Sequence, residues 1–159
     1  MESKLPFVQF FLRLALGIGF LVPGLDRLGA WGANGSSNNV SWGDWNHFMI
    51  YARQTMSFFP VGVVNVLAVI ATAAELIFGA LLIMGLFTRW AATGSGILTI
   101  CFALSMMMSF GVVSPISYSV FTVSAASFLL ATIPTYAWSL DEWRAKLKTS
   151  PAQNKKIRL

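Results

Sequence analysis

Long apolar runs separated by short polar stretches dominate this chain. No Asp, Glu, Lys or Arg occurs from Trp90 to Leu140. An uncharged apolar stretch of about 50 residues is long enough for two membrane spans of about 20 residues each. The polar sequence GVVSPIS at 111–117 divides it in two, and upstream the segment 60–88 is free of charge except for Glu75.

The runs predict four transmembrane helices. The first run is apolar apart from Gln9, Arg13, Asp26 and Arg27. We place the helices at 6–28, 60–86, 89–111 and 115–137. Helices are favoured over a membrane barrel because the runs lack the alternation of membrane strands. The first run could instead be a cleavable signal peptide, but it is long for an apolar signal region, contains Arg13 and has no clear small-residue cleavage site.

The predicted fold is all-α: a polytopic membrane protein with a four-helix bundle at 1–140 and a basic tail at 141–159. The external segment 29–59 begins as a loop rich in Gly, Asn and Ser and continues as an amphipathic helix, because its apolar residues recur at helical spacing. Ser41 and Asp44 fit a capping box for that helix. Its several tryptophans predict that it lies flat at the outer headgroup level.

Composition and charge support a membrane location and give an orientation. The chain has 159 residues and is 56% hydrophobic but only 11% charged, against about 25% charged in soluble domains. With four spans both termini share one side, which then holds most of the basic residues: Lys4, Arg89, Arg144, Lys146, Lys148, Lys155, Lys156 and Arg158. The positive-inside rule therefore predicts cytoplasmic termini, with Arg89 in a cytoplasmic loop. The basic tail is a topology signal or a contact for anionic lipid headgroups, and nothing separately supports nucleic-acid binding.

Two charged residues, Arg13 and Glu75, lie well inside the apolar runs. A charge that faces lipid near the bilayer centre costs at least about 2.5 to 3.5 kcal/mol, so both should face protein. We predict a buried ion pair between them, which either pins two helices together or holds a polar ligand. Small residues at helical spacing predict close helix packing at Gly17, Gly24, Gly79 and Gly96.

A second group of polar residues is predicted at the external rim. It comprises five residues that all fall on the external side: Asp26, Arg27, Trp31, Asp44 and His47. They would form a polar pocket beneath the amphipathic segment. Alternatively, Asp26 and Arg27 only mark the end of the first helix at the headgroups.

Several kinds of chemistry are excluded by the residues available. Dithiol chemistry needs two cysteines, and the chain has only Cys101, which we expect to be a small buried side chain within the third span. The single histidine, His47, cannot provide the two ligands of a membrane haem, and no metal site is predicted. Phosphate-binding loops and nucleophile motifs are also missing.

Two blocks carry a resemblance to a known family. The sequences LRLALGIGFLVPGLDRLGAW at 12–31 and AELIFGALLIMGLFTRWAA at 74–92 resemble the DoxX family of small four-helix bacterial membrane proteins. The matching positions are Arg13, Gly17, Gly24, Arg27, Glu75, Gly79, Gly85, Leu86 and Arg89. The resemblance covers about 6–137 and leaves out the basic tail.

The resemblance implies a multi-pass protein of the bacterial inner membrane in a quinone-coupled redox or oxidant-defence system. We expect no intrinsic cofactor. In such a system the chain would bind a quinone near Arg13 and Glu75, or near Asp26 and Arg27, while a partner protein carries the redox centre. It would not be catalytic by itself. The alternatives are a non-catalytic membrane scaffold or, ranked lower, a small-solute carrier.

Overall fold

The computed structural model describes residues 5–38 and 40–147. Its helices are α1 (Leu5–Asp26), α2 (Trp45–Thr55), α3 (Val61–Met84), α4 (Thr88–Phe110), α5 (Val113–Ser117) and α6 (Val120–Thr132). Residues 140–147 are also helical, and no β-strand occurs in these two ranges. The predicted all-α membrane bundle is confirmed. Three of the helices, α1, α3 and α4, are long and apolar enough to cross a membrane, and α6 is a shorter apolar helix.

The last apolar segment differs from the single helix predicted at 115–137. Ser119 adopts a left-handed conformation with φ 55°, which separates α5 from α6. Helix α6 then ends at Thr132, because Pro134 disfavours helical backbone at Ile133, whose φ and ψ are −71° and 129°. The fourth segment is therefore two helices joined by a turn.

Four of these helices pack in two pairs, α1 with α3 and α4 with α6, and the pairs meet through α3 and α4. Gly17 and Gly79 allow the closest approach in the first pair, because a Cβ on Gly17 would lie 3.0 Å from the carbonyl oxygen of Gly79. Gly24 faces Leu76 in the same pair, and Gly96 of α4 faces the ring of Phe128 of α6. The glycines predicted to pack helices thus lie at helix contacts.

Helix α1 is displaced along the bundle axis relative to α3. We call the end of the bundle that holds residues 5–13, 85–88 and 133–147 the tail end, and the opposite end the loop end. Arg27, just after α1, contacts Thr72 of α3, which is eleven residues from Val61. At 1.5 Å per residue, α1 stops about 16 Å short of the loop end of α3.

Helix α2 fills the space beyond the end of α1. Its Phe48, Met49 and Ala52 form a buried cluster with Val64 and Ala68 of α3. Its last residue, Thr55, accepts a hydrogen bond from the Ser109 hydroxyl near the end of α4, at 2.8 Å. Helix α2 therefore runs along the bundle, because the displacement of α1 leaves the apolar side of α3 uncovered near the loop end. The prediction that α2 lies flat at the outer headgroup level is wrong.

The N-cap of α2 also differs in detail from the predicted capping box. Asp44 is the N-cap, and its carboxylate accepts a hydrogen bond from the His47 backbone N–H at 2.9 Å. The backbone N–H of Ser41 donates instead to Asp26, at 3.2 Å. The loop before α2 is therefore fastened to the end of α1.

Candidate functional site

Four charged side chains are buried within the described ranges: Arg13, Asp26, Arg27 and Glu75. Burying an ion costs several kcal/mol unless an opposite charge or several hydrogen bonds compensate for the lost water. Each of the four has such partners. They are not the partners that the sequence predicted, which paired Arg13 with Glu75.

Glu75 pairs with Arg27. Both terminal nitrogens of the guanidinium bind the carboxylate: Nη1 forms an ion pair with Oε2, and Nη2 donates to Oε1 at 3.2 Å. Nη1 also donates to the Thr72 hydroxyl at 2.9 Å. Thr72 lies one helical turn before Glu75, so both reach the same guanidinium from one face of α3.

Aromatic rings cover this ion pair. The Cζ of Arg27 lies 4.1 Å from the ring centroid of Phe48 and 5.0 Å from that of Trp42. Both contacts have cation–π geometry, which adds attraction in a site shielded from water. Only 6% of the Arg27 side chain and 5% of the Glu75 side chain are exposed. The loop before α2 and its first turn thus seal the pair.

Asp26 binds the loop that carries this cover. Its carboxylate accepts four backbone hydrogen bonds, from the N–H groups of Val40, Ser41, Trp42 and Gly43, at 2.7 to 3.2 Å. Such charge-assisted bonds are roughly twice as strong as bonds between neutral groups. Asp26 is fully buried, so the loop 40–43 solvates its charge in place of water.

The predicted ion pair between Arg13 and Glu75 is wrong. Arg13 lies at the tail end, where Nη1 donates to the carbonyl of Ala137 at 3.2 Å and Nη2 to that of Trp138 at 2.7 Å. It is so close to Gly85 that a Cβ there would lie 2.8 Å from Nη1. Gly85 is ten residues from Glu75, or about 15 Å. The prediction assumed that α1 and α3 begin and end level with each other, whereas α1 is displaced toward the tail end.

The tail end has a polar cluster that the sequence did not predict. The Gln9 side chain donates to the carbonyl of Thr135 at 2.6 Å and accepts from the N–H of Ala137 at 3.2 Å. Asp141 accepts from the N–H groups of Phe87 and Thr88 at 2.9 and 2.8 Å, which caps α4. The available signal was the spacing of Gln9 and Arg13, which lie four residues apart on one face of α1.

The five residues of the predicted rim pocket separate into three groups. Asp26 and Arg27 are buried as described, and the Trp31 indole donates to the carbonyl of Val22 at 2.9 Å on the exposed surface. The third group is Asp44 with His47, whose Nδ1 lies 2.7 Å from the carboxylate. Hydrogen bonds from the backbone and ring of His47 hold the pKa of Asp44 below its usual value. Of these residues, only Arg27 reaches Glu75.

An open cleft lies between α2 and α3, with a volume of about 410 Å³. Its lining residues are Trp45, Asn46, Met49, Ile50, Arg53, Asn65 and Val69. Sequence reasoning missed this cleft. The available signal was Asn65, the one asparagine in the apolar run 60–88.

The family model for DoxX matches residues 8–108, which contain α1 to α4 almost completely and include both Arg27 and Glu75. The chain belongs to the DoxX family. Searches of curated proteins and of solved structures found no match. The Arg27–Glu75 pair of this DoxX protein therefore lies within the family region, whereas α6 and the tail lie outside it.

The cysteine of this DoxX protein also differs from its predicted environment. Cys101 is exposed on the surface of α4, where the sequence predicted a buried side chain. The prediction failed because a continuously apolar run does not distinguish the side of a helix that faces lipid from the side that faces protein. Within 5–38 and 40–147, no three His, Cys, Asp or Glu side chains group as metal ligands.

Proposed function

We propose that this DoxX protein is an accessory membrane subunit of a quinone-linked redox or oxidant-defence complex, whose redox centre belongs to a partner protein. The observation that supports a ligand site is the convergence of Arg27 and Thr72 beneath the rings of Trp42 and Phe48. Quinone headgroups need hydrogen-bond donors for their carbonyl oxygens and flat apolar walls for their ring. This site offers both inside an apolar bundle.

Thr72 and Glu75 can each form a hydrogen bond with a quinone headgroup. Thr72 accepts its hydrogen bond from Arg27, so its own hydroxyl proton can be donated to a carbonyl oxygen. Glu75 keeps the guanidinium oriented and is an acceptor for a hydroxyl of the reduced headgroup. Because Phe48 and Trp42 cover Arg27, the headgroup enters after α2 moves as a whole away from α3.

Quinone content of the purified protein tests this proposal. We expect one ubiquinone or menaquinone per chain by mass spectrometry of extracted lipids, and a loss of at least tenfold in Thr72→Val and Glu75→Gln. Thr99→Val is the matched control, because the Thr99 hydroxyl is also buried but donates to the Ser95 carbonyl within its own helix. Equal quinone in all four proteins, or none in any, would contradict the proposal.

A non-catalytic scaffold is the second candidate, and one observation favours it. Arg13, Asp26, Arg27 and Glu75 each hold two parts of the chain together. In a scaffold these contacts need no ligand. Variants of Glu75 would then lose stability and leave the composition of co-purified lipids unchanged.

We further propose that the protein lies in a bacterial inner membrane with both termini in the cytoplasm. The exposed Arg89 and the Arg144 side chain at the tail end support this orientation. In a Cys101→Ser background, a membrane-impermeant maleimide added to spheroplasts should label Phe58→Cys at the loop end and leave Leu147→Cys unlabelled. Labelling of Leu147→Cys but not of Phe58→Cys would contradict the proposed orientation.

A further inference from the structure

The cleft between α2 and α3 is separate from the Arg27–Glu75 pair. Asn65 and Val69 are exposed near the start of α3, whereas Thr72 and Glu75, nearer the tail end, are buried. The cleft therefore opens to the surroundings of the bundle near the loop end, while the ion pair is sealed behind α2.

The polar groups of the cleft are all able to donate hydrogen bonds. They are the guanidinium of Arg53 and the amides of Asn46 and Asn65, and the lining contains no Asp or Glu. Among the described residues, the Arg53 side chain has no ion pair or hydrogen bond. A site with one unneutralised cation and two amides is complementary to an anion with several acceptor oxygens.

The rest of the lining is apolar and continues along the outside of α3. Ile50 and Val69 are more than half exposed, and Ala73 and Ile77 follow on the exposed side of α3 toward the tail end. Trp45 adds a flat apolar ring to this lining. A ligand of this cleft thus has an anionic headgroup and an apolar chain.

We infer that the cleft between α2 and α3 binds the phosphate of an anionic membrane phospholipid, with Arg53 as its counter-ion and Asn65 as a hydrogen-bond donor. A phospholipid with a choline headgroup also carries a phosphate, but its ammonium group finds no carboxylate in the cleft. Phosphatidylglycerol, which lacks that ammonium, fits the charge of the lining. This inference does not depend on the proposed quinone site.

Competition between two lipids tests the inference. The full chain is reconstituted in nanodiscs with equal phosphatidylglycerol and phosphatidylcholine, and the lipids retained after detergent extraction are quantified by mass spectrometry. We expect phosphatidylglycerol to be enriched and its ratio to phosphatidylcholine to fall about fivefold in Arg53→Gln, the effect of one basic residue near a membrane surface. Asn65→Leu removes a donor to the phosphate, which both lipids carry, so it should lower the retained amount of both.

Two controls keep the result interpretable. Arg144→Gln removes an arginine at the other end of the bundle and should leave the ratio unchanged, and equal melting temperatures in phosphatidylcholine alone establish that the variants fold. An equal decrease in Arg144→Gln, or no decrease in Arg53→Gln, overturns the inference. Displacement of the bound lipid by millimolar inorganic phosphate, or by a soluble ubiquinone analogue, also overturns it, because the ligand would then be a free anion or a quinone.

Discussion

Asp26 and Arg27 are neighbours in sequence, yet they fasten different parts of the chain. The carboxylate of Asp26 holds the loop 40–43 through four backbone N–H groups, while the guanidinium of Arg27 binds Thr72 and Glu75 of α3. The loop in turn brings Trp42 over Arg27. The end of α1 is thus the point where the external segment and α3 are joined.

Removing one charge of the buried Arg27–Glu75 pair should destabilise the folded protein. We expect Arg27→Met to lower the free energy of unfolding by about 3 to 5 kcal/mol, because it leaves the Glu75 carboxylate buried without a counter-charge. The double variant Arg27→Met/Glu75→Leu should recover most of this loss. Titration with sodium dodecyl sulfate in mixed micelles, followed by circular dichroism, measures both. Equal losses in the single and double variants would show that the pairing contributes little.

Asp26→Asn should loosen the loop before α2. The amide has one acceptor oxygen and no charge, so most of the four N–H bonds weaken or are lost. Loss of a charged hydrogen bond costs about 1.5 to 3 kcal/mol, so we expect hydrogen exchange at 40–43 to become about 10 to 100 times faster. Asp44→Asn is the control and should affect only the first turn of α2. Unchanged exchange at 40–43 would contradict the role given to Asp26.

A cross-link between the segment just after α2 and the end of α4 should slow access to the sealed pair. The hydroxyls of Ser57 and Ser109 lie 3.4 Å apart, so cysteines at both positions are within reach of a disulfide. In a Cys101→Ser background, the oxidised Ser57→Cys/Ser109→Cys protein should take up added quinone at least tenfold more slowly than the reduced form. Equal uptake rates would contradict entry by movement of α2 as a whole.

Substitution by alanine should have opposite effects on stability at two glycines of α1. A Cβ on Gly17 would lie 2.6 Å from Ile83 Cγ1 and 3.0 Å from the backbone of Gly79, whereas one on Gly19 meets nothing within 4 Å. We expect Gly17→Ala to destabilise the protein by about 1 to 3 kcal/mol. Gly19→Ala should stabilise it by about 0.5 to 1 kcal/mol through helix propensity. Unfolding in mixed micelles measures both, and a stabilising Gly17→Ala would disprove the tight contact.

The stability of the first turn of α2 should depend on pH in the acidic range. The pKa of Asp44 is lowered in the folded protein by its hydrogen bonds to His47, so this carboxylate stabilises the helix start above its ordinary pKa of about 4. That contribution is lost as the pH falls from about 4 through the lower folded pKa. The amide resonance of His47 should therefore shift over this acidic range in the protein and lose the transition in Asp44→Asn. A transition that survives the substitution would belong to another group.

The sequence predicts the number of apolar segments, their approximate limits and the burial of charge within them. Apolar runs must lie in lipid or protein, and Glu75 must face protein, whichever helix it meets. Small residues such as Gly17 and Gly79 also report contact faces, because only small residues allow backbones to touch.

The partner of Glu75 could not be predicted, because it depends on the axial offset between α1 and α3. That offset comes from non-local packing, including the Gly17–Gly79 contact and the anchoring of Arg13 by Ala137 and Trp138. Periodicity along one helix carries no information about its displacement against another. The cleft was missed for the same reason, since it exists only once α2 packs on α3.

The separation of Arg27 and Glu75 along the chain, 48 residues, has a consequence for how the protein is made. The first span emerges from the ribosome well before its counter-charge, so Arg27 has no partner while α1 enters the bilayer. An arginine without a partner favours the water interface. We therefore expect α1 to insert in two stages, with its last turn remaining at the surface until α3 delivers Glu75, and the two helices to settle into the membrane as a neutral unit.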